Sequence, residues 1–384
     1  MKRVGILTFY KSENVGAVLQ ACALQNTLTG MGYSAQIIQY LDQKKKQSRI
    51  PKVKRIAHNL WYDVIKRGLL RDIKWRRICD FVEKYDTLSE KAYFSNGAIH
   101  RDPPQYEVYI TGSDQVWNPG ITGNDETYYL TFAPAETIRM SYGASLGNIS
   151  VLQRDPEKMA YMLCQLDAIS VREQDTACAI SDLINKPVSQ VLDPTLLLDA
   201  QRWMTFTAPM EAMVKQPYIL CYYMPGNPAM ERGIRNIAER LREKTKLPIV
   251  NIGKKDWHRL RFCKEDLFDH GPLEFLWLMQ HASYVVTNSF HGTAFSINFG
   301  KPFYVPTADN ESSATTRTSR ILSLLFALKL EDRLVPVDAD GNITNPKVTE
   351  QILDYTEAHS KLKELKDASI AFLQNSCEGK KKEQ

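Results

Sequence analysis

The residues able to do chemistry gather at a few turns. In Val285-Val286-Thr287-Asn288-Ser289-Phe290-His291-Gly292-Thr293 an apolar run delivers a polar turn, and a small-residue helix begins. Backbone N–H groups at a helix start form a ready anion site, and Gly292 permits close approach. Asn288, Ser289 and Thr293 add donors. His291 there can hold a phosphate or move a proton. The same spacing fits a plainer reading, in which Asn288 or Ser289 caps the helix and His291 is a hydrogen-bonded bystander.

Ser12-Glu13-Asn14-Val15-Gly16 repeats the plan of strand, polar turn, glycine and helix start. It lacks the glycine spacing of a dinucleotide site and the lysine of a P-loop. An Asn14 cap with Gly16 for close packing accounts for it equally. Arg172-Glu173 follows the strand ending in Ser170-Val171. An arginine there can clamp a carboxylate or phosphate with two parallel hydrogen bonds, or form a salt bridge at a helix start. Asp114 and Gln115, at another strand end, suit sugar hydroxyls or a simple turn. Arg317 and Arg320 open a helix after a polar loop, as anion-binding groups or as a solvated face. The seven cysteines form no CxxC pair and no Cys/His zinc spacing, so we expect no metal. Buried thiols in a reducing compartment are the expectation.

The elements that must position these groups alternate. Residues 2–9, 34–40, 107–111, 138–141, 168–171 and 188–192 read as strands, with helices at 16–28 and after Glu173 to about 184. Residues 51–67 read as an amphipathic helix closed by Gly68, with a second helix at 69–85. A linker is expected near 200–216. Strands then fall at 218–223, 248–252, 284–287 and 302–305, with helices at 228–244, 272–282, 291–299, 317–328 and 347–374. The pattern predicts two doubly wound, Rossmann-like α/β domains facing a cleft, at 1–205 and 206–384. The first carries a basic helical insertion at 44–85, and the second ends in a long helix.

A composition of 43% hydrophobic and 24% charged residues excludes a disordered chain, a collagen-like fibre and a coiled coil. No apolar run reaches the 18 or so residues that cross a bilayer. The opening residues lack the apolar length and cleavage site of a secretory leader, so a cytoplasmic protein is expected. The net charge of +5 is unevenly placed. Residues 44–77 hold thirteen Lys or Arg against Asp63 and Asp72, and the remaining residues sum to a net negative charge. That excludes a general nucleic-acid binder and leaves one local basic patch. The 51–67 helix either packs with solvated cations outside or touches an anionic membrane surface or a diphosphate-linked lipid.

At these residues the chain resembles the polysaccharide pyruvyl transferase family. The matching segments are Asn14-Val15-Gly16-Ala17-Val18-Leu19-Gln20, Gly112-Ser113-Asp114-Gln115-Val116-Trp117, Ser141-Tyr142-Gly143-Ala144-Ser145, Val171-Arg172-Glu173, Leu192-Asp193-Pro194-Thr195 and Ser289-Phe290-His291-Gly292-Thr293, followed by Phe299-Gly300-Lys301-Pro302. They keep the family's order. The resemblance implies a GT-B-like fold and transfer of pyruvate from phosphoenolpyruvate to a sugar, with release of phosphate and no metal or redox cofactor. It implies His291 and Arg172 as catalytic groups. Asn288, Ser289, Gly292, Thr293, Arg317 and Arg320 would serve the donor on the C-terminal side. Asn14, Gly16, Asp114 and Gln115 would serve a sugar or lipid-diphosphate-linked acceptor on the N-terminal side. Many members carry Arg two residues before the His, where this chain has Ser289, and Asp where it has Ala17. The expected mechanism has the turn around His291 facing Arg172 across a groove, the two gripping a dianionic donor. A nucleotide-sugar glycosyltransferase and a non-catalytic sugar-binding protein are the competing readings.

Overall fold

A computed structural model describes residues 1–41, 60–224, 227–252, 265–266, 269–308, 319–345 and 354–379. The chain divides into two compact units, residues 1–197 with 367–384 and residues 198–366.

The first unit opens with β1 (Arg3–Leu7), α1 (Val15–Gly30), β2 (Ser34–Tyr40), α2 (Leu60–Tyr85) and β3 (Leu88–Tyr93). It continues through α3 (Asn96–Arg101), β4 (Val108–Thr111), α4 (Pro119–Thr122), β5 (Ile138–Ser141), α5 (Pro156–Cys164), β6 (Ser170–Val171), α6 (Gln174–Ile184) and β7 (Ser189–Gln190). The five-stranded sheet has the order β3-β2-β1-β4-β5, all parallel. Bridges Met140–Ala168 and Ala144–Val171 lead from β5 to the parallel pair β6-β7. Parallel strands buried on both faces require apolar runs, which Val4, Ile6, Leu7, Val108 and Ile110 supply. Helix α1 is apolar nearly all round, and Val18, Leu19, Ala21, Cys22, Ala23 and Leu24 are fully buried.

The second unit holds α7 (Ala200–Thr207), β8 (Ile219–Tyr222), α8 (Pro228–Thr245), β9 (Ile249–Asn251), β10 (Glu265–Asp266), α9 (Pro272–His281) and β11 (Tyr284–Thr287). Then come α10 (Phe290–Asn298), β12 (Phe303–Ala308), α11 (Ser319–Leu328) and β13 (Leu334–Val337). Its sheet runs β10-β9-β8-β11-β12-β13, again all parallel. Each sheet reverses its strand order beside its first strand, at β1/β4 and at β8/β11. At such a point the loops leaving the carboxyl ends of two strands diverge and open a crevice. The motif turns fall there: Thr8–Asn14 and Gly112–Asn118 in the first unit, Asn288-Ser289 in the second.

Several expectations are corrected. The expected linker at 200–216 contains α7, capped by the Asp199 carboxylate on the Arg202 N–H and anchored by Trp203 against Phe206 and Phe295. The first unit ends at Leu197 rather than 205. The last helix, α12 (Thr356–Glu378), does not belong wholly to the second domain, since its residues from Asp367 onward group with the first. There Leu373 and Cys377 are fully buried, Ser369 Oγ accepts the Leu192 N–H at 2.9 Å, and Lys2 Nζ donates to Cys377 O at 2.8 Å. Gly68 does not end a helix, because α2 runs through it. Residues 51–59 of the expected basic helix lie outside the described residues, as does Arg317. The six described cysteines form no disulfide, but Cys164 and Cys178 are exposed rather than buried.

Directly after α2, Asp86 turns its carboxyl inward, with both oxygens shielded. Burial pushes its pKa up to about 7, with a Cys22 hydrogen bond pulling the other way. Its folded value therefore lies above the ordinary carboxylate value of the unfolded chain. Between about pH 4 and 7 the native state binds the extra proton, so stability falls as pH rises through that window. Asp86→Asn should be more stable than the parent at pH 8, by roughly 1–4 kcal/mol. The advantage should shrink at pH 5. Urea midpoints at the two pH values check this, and a pH-independent difference would contradict it.

Candidate active site

In the second unit, β11 delivers the turn that starts α10. Ser289 is the N-cap, and its Oγ accepts the Gly292 N–H at 3.4 Å. The Ser289 N–H donates to Thr287 Oγ1 at 3.0 Å. The Tyr222 hydroxyl reaches Ser289 as well; burial pushes that phenol up to about 12, while the Ser289 contact opposes the shift. His291, 4% exposed, is the second residue of α10 and meets the Phe290 ring edge to face. A helix start presents backbone N–H groups and the positive end of the helix dipole.

Three expected donor ligands have other work here. Asn288 Oδ1 accepts the Met224 N–H at 2.8 Å and its Nδ2 donates to Met224 O at 3.2 Å, so this amide ties the β8 and β11 loops together. Thr293 is fully buried and its hydroxyl donates to Ser289 O. Gly292 is packed tightly against its neighbours. A Cβ there would lie 2.3 Å from Thr287 Oγ1 and 3.0 Å from Tyr222 Cδ1. Arg320 sits half-buried in the first turn of α11.

In the first unit, residues scattered over almost 190 positions meet at the carboxyl ends of the strands. Arg172, with 2% of its side chain exposed, donates from Nη1 to Asp193 Oδ2 at 2.6 Å and from Nη2 to Asp114 Oδ1 at 3.4 Å. Burial alone would depress the guanidinium, but the charges of Asp193, Asp114 and Glu173 reverse this and the net shift is upward. The Ser113 hydroxyl is in donor range of Asp193 Oδ2 (3.1 Å) and Gly143 O (2.9 Å). Asp193 Oδ1 accepts the N–H and hydroxyl of Thr195. Gln20 Oε1 accepts the Ser113 N–H, and its Nε2 donates to Thr8 Oγ1, which in turn donates to Ser113 O. The Ser145 hydroxyl donates to Glu173 Oε1 at 2.7 Å, while Glu173 Oε2 is shielded from water. Gly143, at φ +56°, leaves room for this network, since a Cβ would stand 3.3 Å from Arg172 Cγ.

The structure thus joins Arg172 to Asp114, while Asn14, Gly16 and Gln115 have bonds of their own. Asn14 caps α1 through the Gly16 N–H at 3.1 Å, and Gln115 Oε1 accepts from Asn118 Nδ2 at 2.7 Å. Arg172 is therefore an internal ion-pair partner of two carboxylates. Asp193, Ser113, Gln20 and Ser145 are members that residue types alone did not single out. Their only signal was membership of the ordered motifs. Among the described residues no cluster of three or more His, Cys, Asp or Glu could hold a metal ion, and no helix is long and apolar enough to cross a membrane.

A family model described as polysaccharide pyruvyl transferase matches residues 14–306. No curated protein matches the chain. Among solved structures, a UDP-N-acetylglucosamine 2-epimerase aligns over 100% of this chain and 98% of its own, at 10% identity and a TM-score of 0.53. A putative UDP-N-acetylglucosamine 2-epimerase from Listeria monocytogenes aligns over 95% and 96%, at 11% identity and 0.48. The UDP-GlcNAc 2-epimerase from Methanocaldococcus jannaschii aligns over 95% and 99%, at 13% identity and 0.47. The first of these likenesses is one of fold alone, and the fold is GT-B-like, with two Rossmann-like units.

Two substitutions test this geometry. Arg172→Met strands two buried carboxylates, Asp193 and Asp114, and should cost about 3–5 kcal/mol in urea unfolding; an unchanged midpoint would refute the internal pairing. Gly292→Ala should cost about 1–3 kcal/mol by overpacking against Thr287 and Tyr222. A neutral or stabilising result there would refute the packing role.

Proposed function

The chain belongs to the polysaccharide pyruvyl transferase family, and from that premise we propose that it moves pyruvate from phosphoenolpyruvate onto a sugar and releases phosphate. The acceptor is a sugar of a cell-surface polysaccharide or of its lipid-diphosphate-linked precursor. The observation that carries this reading is the convergence of the family's separate N-terminal segments on one buried network at the carboxyl ends of a parallel sheet. The second unit has a helix start that carries a histidine.

The chemistry fits these groups. Phosphoenolpyruvate brings a phosphate and a carboxylate, which call for helix-start amides and cations. The start of α10 takes the phosphate, with Ser289 as its cap, and Arg320 and Arg317 supply positive charge. Addition at C2 needs a proton delivered to the methylene carbon, C3, and positive charge tolerated at C2. His291 is the proton donor, a role suited to an imidazole near neutral pH. The acceptor hydroxyl binds in the first unit, at the loops carrying Asn14 and Asp114. No metal or redox cofactor enters this scheme. The cationic stretch 44–77 would draw the enzyme to an anionic membrane surface where a lipid-linked acceptor is held.

The test is phosphate release from phosphoenolpyruvate in the presence of a panel of glycans and lipid-linked sugars. Release should depend on the acceptor, and His291→Ala should lower it about 10²–10⁴-fold. No release across the panel, or thermal stabilisation by nucleotide sugars but not by phosphoenolpyruvate, would overturn the proposal.

A further inference from the structure

Asp114 stands apart from the other carboxylates of the Arg172 network. Asp193 has no exposed side-chain surface, and its two oxygens hold Arg172, Ser113 and Thr195. Glu173 holds Ser145 with one oxygen and keeps the other shielded. Asp114 is 93% buried, since 7% of its side chain remains exposed. Its Oδ1 is held by Arg172, and its Oδ2 has no hydrogen-bond partner among the described residues and is not shielded. It follows β4 at the strand-order reversal, with φ at +73°, a backbone region rarely adopted by residues other than glycine. Its carbonyl accepts the Val116 and Ser145 N–H groups, so neighbouring segments hold the backbone on both sides.

One anchored oxygen and one open oxygen are what a positioned proton acceptor needs. We propose that Asp114 is the base that removes the proton from the acceptor hydroxyl, with Arg172 and Asp193 as the residues that position it. The proposal rests on the transferase reading above. Three carboxylates around one guanidinium leave the network with surplus negative charge, which suits a neutral hydroxyl that is about to lose a proton.

The step balances. The hydroxyl proton passes to Asp114 Oδ2 as the hydroxyl oxygen bonds to C2 of phosphoenolpyruvate. The C2=C3 electron pair takes up a proton at C3 from a general acid. The bond from C2 to the phosphate oxygen then breaks, and the pair leaves on phosphate. A second hydroxyl of the same sugar closes the ketal at C2. Of the two hydroxyl protons, one replaces that given to C3 and the other leaves on hydrogen phosphate.

Two substitutions separate catalysis from folding. Asn keeps the size of Asp114 and tolerates positive φ, and Gly is at ease there. Asp114→Asn should lower kcat about 10²–10⁴-fold, with phosphoenolpyruvate affinity in calorimetric titration unchanged. In Asp114→Gly, added formate should restore turnover in proportion to its concentration without moving the melting temperature. Three results would overturn the assignment. One is a parent-like kcat in Asp114→Asn. A second is its loss of donor affinity. A third is a folded Asp114→Gly that formate does not rescue. Should the parent protein release no phosphate with any acceptor, the transferase reading itself would fall, and the base with it.

Discussion

The structure of the first unit depends on one guanidinium. Arg172 is enclosed at the carboxyl ends of the strands, and a charge taken out of water there costs several kcal/mol unless it is paired and hydrogen-bonded. Asp193, at 2.6 Å, and Asp114, at 3.4 Å, do the pairing. Each carboxylate then needs its own donors, which come from Ser113, Thr195 and the Arg172 fork. Ser113 in turn needs Gln20 and Thr8 for its backbone groups. One buried cation thus fixes the residue types at five separated segments. It also explains Gly143, whose lack of a side chain leaves space beside the Arg172 stem.

Much of the fold was legible in the sequence because parallel strands and buried helices are apolar. The runs at 34–40, 138–141 and 284–287 and the helices at 228–244 and 272–282 match the structure within a residue or two. The losses have physical causes. Strand β3 carries Glu90 and Lys91, both exposed, which break the apolar run that marked its neighbours. Helix α7 is only eight residues long and its burial rests on Trp203, Phe206 and Thr207, too few for periodicity to show. Gly68 reads as a stop, yet a glycine inside a helix costs only about 1 kcal/mol, less than tertiary packing can return. The regrouping of α12 with the first unit depends on Ser369 meeting Leu192, a contact 177 positions apart that no local pattern encodes.

The site was legible to a different degree. The turn from β11 into α10 stood out because strand, cap residue, glycine and helix are adjacent in sequence. The roles inside it were not legible. Asn288 reaches across to Met224, and Gly292 is required by Thr287 and Tyr222; both depend on the neighbouring strand β8. In the first unit the separation was greater. Arg172 pairs with residues 58 and 21 positions away, so only the ordered motifs, not the spacing of charges, marked the network.

The two units share a strand order and differ in the charge they place where it reverses. The first offers three carboxylates to one guanidinium, so its cluster repels anions and favours groups that give up protons. The second offers a helix start, hydroxyls and an imidazole around β8 and β11. The transferase reaction proposed above, which joins an anionic donor to a neutral polyol, suits this difference in charge. In that proposal the donor meets positive potential, and the acceptor meets a carboxylate with one oxygen open. A folded charge pair that consumed every oxygen of Asp114 would remove that second condition, and Arg172 engages only one of them. The network that keeps the first unit folded also leaves one carboxylate oxygen available for chemistry.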